Sequence, residues 1–321
     1  MPHMVADLER TETALVEAAT SSDRYLTEIA THLISAGGKR VRPGFTIASA
    51  ATALAQHSPA SSDVIKAGVS VELVHLGSLY HDDVMDDALT RRTVASVNAK
   101  WGNLKAILAG DFLLARASEL AASLGTEVAS LLAATIARLC EGQVLELEYT
   151  YRTERDLDVY LSSIEGKTAS LLATACRIGG IVAGVNDDHL EALTTFGHAY
   201  GMAFQVVDDV LDIVSNAEQM GKPTGHDMVE GVYTLPVILA LQAGNSKLLD
   251  LLTDSMSEAD RLEASDIVRS SGVVEQAIDH ARMYANTALT ALDLVTPSSG
   301  ATGLRAAADH LVASVEAAAH N

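Results

Sequence analysis

Gln205-Val206-Val207-Asp208-Asp209-Val210-Leu211-Asp212 lies inside an otherwise apolar segment, Phe196 to Val214. Apolar residues there recur at three- and four-residue spacing, which predicts a helix. Asp208 and Asp212 then share a face, flanked by Phe204, Val206, Val207, Val210 and Leu211. Charged residues are seldom buried without partners. The same spacing of acids occurs earlier, where His81-Asp82-Asp83-Val84-Met85-Asp86-Asp87 ends the largely apolar stretch Val69 to Tyr80. On a helix Asp82 and Asp86 stand one turn apart, with Asp83 about 100° round from Asp82. Crowded carboxylates repel unless a cation neutralises them. One acidic run is usually a solvated helix end; two matching triads, each emerging from an apolar helix, call for a cation.

Outward from these triads the pattern stays helical. Apolar periodicity marks Val64 to Met85, Leu104 to Leu124, Val128 to Leu147, Ser170 to Val185, Leu190 to Val214 and Val273 to Leu294. No alternation suited to a strand runs beyond a few residues. The prolines at 2, 43, 59, 223, 236 and 297 all fall outside those segments and punctuate them. Breaks read at Gly37-Gly38, His57 to Ser62, Arg152 to Asp156, Ser215 to Gly225 and Thr296 to Gly303. No linker divides the chain, so the expectation is an all-α fold of roughly a dozen helices forming a single domain over residues 1–321.

Composition narrows the function. The 321 residues are 48% hydrophobic and carry a formal net charge of −20, which argues against nucleic acid and against anionic lipid. Cys140 and Cys176 make no disulfide framework and read as small buried residues in a reducing compartment. The longest uninterrupted apolar run, Ile178 to Val185, is far below the ~20 residues of a membrane span. Residues Met1 to Arg10 do not form a signal peptide, so the expected location is cytoplasmic.

Carboxylates without nearby Cys or paired His favour a hard cation, Mg²⁺ or Mn²⁺. Mg²⁺ commonly bridges one or two carboxylates to a phosphate, so two triads suggest a clamp for a diphosphate. Basic residues are scarce but motif-like. Gly37-Gly38-Lys39-Arg40-Val41-Arg42-Pro43 places three positive charges within four residues with no acid among them. Gly166-Lys167-Thr168 is read as opening a helix, Gly221-Lys222-Pro223 follows the second triad, and Arg91-Arg92 follow the first. Arg forks, Lys point charges and helix N-termini all suit phosphate oxygens.

This ordered set resembles the trans-type isoprenyl diphosphate synthases of the polyprenyl synthetase family, and it runs from about residue 37 to 236. The resemblance implies an all-α isoprenoid synthase fold with helices around a deep cavity, usually homodimeric, the two aspartate motifs facing each other across its mouth. It implies Asp82, Asp83, Asp86, Asp208, Asp209 and Asp212 as the metal motif, and Arg91, Lys167 and Lys222 on an allylic diphosphate. Lys39, Arg42, His75 and Arg92 would hold isopentenyl diphosphate, and Thr168 and Gln205 would line the reacting centre. No transmembrane segment is implied, only transient membrane contact for product release. One departure stands out: the family commonly has Lys shortly before Thr234-Leu235-Pro236, where this chain has Gly231-Val232-Tyr233.

Four and five residues before Asp82 stand Ser78 and Gly77, where the family places a bulky aromatic to stop chain growth early. Two small residues imply a long product, about six or more isoprene units, with a geranylgeranyl or other short-chain synthase as the alternative. Two intact triads plus the basic motifs speak against a class I terpene cyclase, and the intact triads against a non-catalytic subunit; a Mg²⁺-dependent phosphohydrolase is the third possibility.

Overall fold

Each periodic apolar segment is a helix in the computed structural model, which describes residues 1–53, 58–215 and 224–319. In chain order the helices are α1 (Met4–Ala18), α2 (Arg24–Ala30), α3 (His32–Ser35), α4 (Val41–Ala50), α5 (Ser62–Met85), α6 (Val97–Trp101), α7 (Asn103–Ser123) and α8 (Thr126–Glu148). There follow α9 (Leu157–Ile164), a π-helical segment (Glu165–Ala169), α10 (Ser170–Ala183), α11 (Asp187–Val214), α12 (His226–Val229) and α13 (Leu235–Gln242). The last are α14 (Ser246–Leu251), α15 (Glu258–Ser270), α16 (Val273–Ala291) and α17 (Ser299–Ala319). They exceed the expected dozen because single turns such as α3 and α12 are too short to show a period. Starts are set by side-chain caps: Ser61 accepts from Val64 N–H, Asp156 from Val159 N–H, and Ser257 with Asp260 forms a capping box.

The helices gather in two compact units, each drawn from three stretches of chain. The first comprises Met1–Ile136, Leu171–Gly197 and Leu292–Leu304. Its centre is α5, with Val71, Leu73, Val74, Leu76 and Tyr80 wholly buried against α7, α4 and α1. Tyr80 satisfies its hydroxyl on the Ile29 and Ala30 carbonyls at 2.8 and 3.0 Å. The second unit comprises Ala137–Ser170, His198–Ala291 and Arg305–Asn321. Its core holds Ile213, Met228, Tyr233, Val237, Leu248 and Val268.

Two expectations are corrected, and one small element is added to the all-α fold. A two-stranded antiparallel hairpin, β1 (Thr90–Arg91) and β2 (Val94–Ala95), interrupts the helices. Four residues are too few for alternation to register. Cys140 is exposed on α8, unlike buried Cys176, because apolar neighbours along a helix do not tell which face is covered. Gly166-Lys167-Thr168 does not open a helix, since α9 runs through the π segment straight into α10.

By length and composition alone, α8 could cross a membrane, with mean hydropathy 1.4 and 28% of its apolar window buried. It is nonetheless built into the packing, for Thr135 bonds Thr174 at 2.6 Å.

Gly179 of α10 packs so closely on α4 that an added Cβ would collide with the Thr46 carbonyl oxygen. Backbone cannot give way as a side-chain tip can. Gly179→Ala is expected to destabilise the protein by about 1–3 kcal/mol despite Ala's better helix propensity, read as a lower midpoint in urea unfolding. An unchanged midpoint would show that α4 and α10 can separate freely.

Candidate functional site

In the first unit, the last turn of α5 presents the first triad unevenly. Asp82 is partly exposed and Asp86 exposed, the latter capping the helix with its N–H on the Asp82 carbonyl at 2.9 Å. Asp83 turns inward and is fully buried. Its Oδ1 accepts from Arg91 Nε at 2.7 Å and is ion-paired with Arg91 Nη2 at 2.7 Å, while Oδ2 has no hydrogen-bond partner among the described residues. Burial raises the Asp83 pKa and Arg91 opposes the rise. Arg91 and Arg92 sit in the β1–β2 hairpin, whose turn puts Arg92 and Thr93 at φ 51° and 65°. The left-handed region is an outlier for a β-branched residue such as Thr.

Beside that hairpin the chain Gly37 to Pro43 meets α5. Arg40, at φ 47°, is buried and committed to protein partners. It forms a bidentate pair with Glu12 and donates to Glu72 Oε1 at 3.0 Å and the Ile34 carbonyl at 3.2 Å. Arg92 donates to the carbonyls of Leu33 and Gly37. Arg42 differs: its buried Nε has no partner, and no hydrogen bond from its side chain is formed within the described residues. Burial lowers its pKa, with Glu72 opposing and Arg92 reinforcing. Lys39 is exposed and makes no ion pair among the described residues. His75, one turn from Glu72 on α5, is held well below its usual pKa by burial and then by Arg42, Arg92, Arg40 and Arg91. It stays neutral. The group is a concentration of cations around one buried carboxylate, in which the Arg42 side chain still has hydrogen-bond donors to offer a ligand.

The second unit carries the other triad on α11. Asp208 is exposed, whereas Asp209 and Asp212 are buried. Asp209 accepts from Tyr160 OH at 2.6 Å and from Gln205 Nε2 at 2.9 Å. Burial, with Asp227 and Asp208 nearby, pushes its carboxyl well above the ordinary range, against the hydrogen bonds. The π segment places Lys167 on Glu146 of α8 at 2.6 Å and Thr168 on Gln205 Oε1 at 2.7 Å. Its approach to α8 needs two glycines: a Cβ on Gly142 would come within 2.6 Å of Lys167 N, and one on Gly166 within 2.8 Å of the Arg138 carbonyl oxygen. Single-turn π-bulges within helices are frequent at functional sites.

Lys222, with Gly221 and Pro223, lies outside the described residues. Gly77 is in the α5–α7 seam, where an added Cβ would be 3.1 Å from the Gly110 carbonyl oxygen and from Leu114 Cγ. Ser78 is partly exposed and donates to the His75 carbonyl at 2.9 Å. Sequence reasoning missed Glu12, Glu72, Glu146, Tyr160 and Arg155. Glu72 had a signal, as the lone acid within Val69 to Tyr80; the others carry none that is local.

The donor set suits a hard cation. Every candidate ligand is a carboxylate oxygen, and no group of three or more His, Cys, Asp and Glu converges to hold a metal among the described residues. Any Mg²⁺ shell here would therefore be completed by phosphate and water, its usual habit.

The family model described as Polyprenyl synthetase matches residues 23–269. The nonaprenyl diphosphate synthase of Mycobacterium tuberculosis is 39% identical over 311 residues, spanning 96% of this chain and 92% of that protein. The crystal structure of a decaprenyl diphosphate synthase from Rhodobacter capsulatus superposes with a TM-score of 0.90 at 32% identity, covering 98% of both chains. That of geranylgeranyl pyrophosphate synthase from Corynebacterium glutamicum, complexed with calcium and isoprenyl diphosphate, gives 0.84 at 37% identity, covering 98% of this chain and 96% of that one. The fold is therefore the all-α isoprenoid synthase fold.

His75 generates a pH prediction. Its native pKa lies below the unfolded value of about 6.5, so below that pH the unfolded chain binds the extra proton and stability falls. Urea unfolding from pH 7 down to pH 5 should weaken the wild type more than His75→Asn. Parallel profiles would mean that His75 is not held neutral.

Proposed function

The chain belongs to the polyprenyl synthetase family, and we propose that it condenses isopentenyl diphosphate head to tail with an allylic diphosphate, giving a long all-trans polyprenyl diphosphate. The observation that carries this reading is the pair of carboxylate triads, each on an apolar helix, in a chain matched nearly end to end by a long-chain synthase. A Corynebacterium relative complexed with calcium and isoprenyl diphosphate supports the metal-and-diphosphate chemistry. Residues 1–321 are read as one polyprenyl synthetase domain, because the family match runs through both compact units.

Asp82, Asp86, Asp208 and Asp212 are the carboxylates that would hold Mg²⁺, or Mn²⁺ in its place, with Asp83 and Asp209 as their motif neighbours. When bound, the metal neutralises charge building on the departing diphosphate. Lys167 and Lys222 bind the allylic diphosphate, and Arg91 adds its charge while orienting Asp83. Lys39, Arg42, Arg92 and neutral His75 take isopentenyl diphosphate, which needs no metal where cations already exceed carboxylates. The allylic C–O bond breaks with its electron pair going to diphosphate, and Thr168 and Gln205 face the resulting allylic cation. Apolar helix walls keep out water that would quench it. The isopentenyl double bond attacks that carbon, and the proton then lost goes to the departed diphosphate.

The working form is proposed to be a homodimer. On α7, Leu104, Ile107 and Leu108 are 79%, 39% and 65% exposed at one-turn spacing, an apolar stripe of the kind a second copy covers. Membrane contact is confined to release of the apolar product, and the site of action is cytoplasmic. A shorter product is the second reading, favoured by the geranylgeranyl relative and by the placement of Gly77 in a helix seam.

Incubation with labelled isopentenyl diphosphate, Mg²⁺ and each allylic primer tests the reaction. Chain elongation is expected, and it should fall about a hundredfold or more in Asp82→Ala and Asp208→Ala with the fold retained by circular dichroism. Normal turnover and metal dependence in both variants would remove the triads from the mechanism.

Product length is read by chromatography after dephosphorylation. Ser78→Phe should shorten the product toward geranylgeranyl length; Gly77→Phe should do so at a cost in stability, because Leu114 must move aside. A wild type that stops at geranylgeranyl length with excess isopentenyl diphosphate would establish the shorter reading.

A further inference from the structure

We infer that Tyr160 is a positioning residue for the condensation, acting through Asp209 and Gln205 to set the direction of the Thr168 hydroxyl, and that Asp209 serves this relay instead of binding metal. The inference rests on the prenyl-transfer reading above.

All four side chains lie in the second unit. Tyr160 on α9 is 1% exposed, so its hydroxyl must find a partner in the protein. It donates to Asp209 Oδ2 at 2.6 Å. Gln205, one turn before Asp209 on α11, donates its Nε2 to Asp209 Oδ1 at 2.9 Å. Both carboxyl oxygens are thereby engaged on a residue only 2% exposed, whereas Asp208 beside it faces solvent. Arg155 backs the arrangement. It is 4% exposed, lies 5.6 Å from the Tyr160 ring centre and donates to the Tyr233 carbonyl at 3.2 Å. Its charge is attracted by Glu146 and Asp209.

The bonds have a fixed polarity. As a carboxylate, or with its proton on Oδ2 as the Gln205 Nε2 donation requires, Asp209 accepts at Oδ1, so Gln205 turns its nitrogen there; the reverse flip would set two oxygens face to face. A proton on the Oδ2 side leaves this unchanged. With its nitrogen spent, the amide offers Oε1 to Thr168, which donates at 2.7 Å. A hydroxyl has one hydrogen, and here it is committed. What Thr168 Oγ can present elsewhere is lone pairs. That polarity suits a neighbouring allylic cation and would be reversed if the amide flipped. Because Thr168 sits in the π segment, its backbone is held independently of the relay, so loss of Tyr160 OH should disturb direction more than place.

The experiment compares steady-state kinetics of wild type, Tyr160→Phe, Thr168→Val and the double variant, with Mg²⁺ titrations of Tyr160→Phe and Asp209→Asn. Tyr160→Phe should lower kcat about tenfold with both KM values and half-saturating Mg²⁺ unchanged. Asp209→Asn should behave alike. In the Thr168→Val background, Tyr160→Phe should have no further effect, because its route to the substrate is already cut. Additive losses, or a raised Mg²⁺ requirement in Asp209→Asn, would overturn the relay. Should Tyr160→Phe fail to fold, Gln205→Met, near-isosteric but without the amide, should show the same kcat-only loss and the same non-additivity with Thr168→Val. An active wild type with an unaffected Tyr160→Phe defeats the relay alone. A wild type that forms no elongated product defeats the prenyl-transfer reading and the relay with it.

Discussion

A charge taken out of water must be met by an opposite charge or by hydrogen bonds, and that requirement orders the two groups of functional side chains in this chain. In the first unit, Arg91 answers Asp83, and Glu12 with Glu72 answers Arg40. In the second, Glu146 answers Lys167, and Tyr160 with Gln205 answers Asp209. Other charged groups lie outside these pairs. Arg42 has a buried Nε with no hydrogen-bond partner among the described residues, and Lys39, three positions earlier, is exposed. Asp82, Asp86 and Asp208 face outward, each one or more positions from a buried neighbour.

Holding such groups in place has a backbone cost. Arg40, Arg92 and Thr93 all lie in the left-handed region without being glycine, at φ 47°, 51° and 65°. Each such residue costs on the order of 1–3 kcal/mol and persists only where the surroundings over-determine it. Here the surroundings are the carboxylates and carbonyls that bind those same arginines. In the second unit the device is the π segment, which turns Lys167 toward α8 and Thr168 toward α11 without ending the helix. Gly142 and Gly166 make room for it, since neither position accommodates a Cβ against the facing backbone.

How much of this was legible follows from how local each signal is. The long helices were plain because their burial repeats every three or four residues, and α5, α7, α8, α10 and α11 begin and end within a few residues of their apolar segments. The triads were plain for the opposite reason, as charges where that repeat should be apolar. The Gly166-Lys167-Thr168 tripeptide misled, since glycine more often marks a break than a close contact with another helix. Gly77, read with Ser78 as a small residue that implies a long product, lies against Gly110 and Leu114, residues more than thirty positions away. The exposure of Cys140 was equally invisible, being a matter of which face of α8 is covered.

The sequence by itself determined the all-α class and the family, because helix period and the order of short motifs are properties of neighbouring residues. Tertiary structure alone decided what each charge does. Asp82 and Asp83 are adjacent and chemically identical, yet one is partly exposed and the other is closed upon Arg91. Arg40 and Arg42 are two positions apart, yet Glu12 and Glu72 hydrogen-bond the first, while the second keeps a buried Nε with no hydrogen-bond partner among the described residues. The physical reason is that desolvation and hydrogen bonding depend on what other helices bring within about 3 Å, and those partners come from positions far away in the chain.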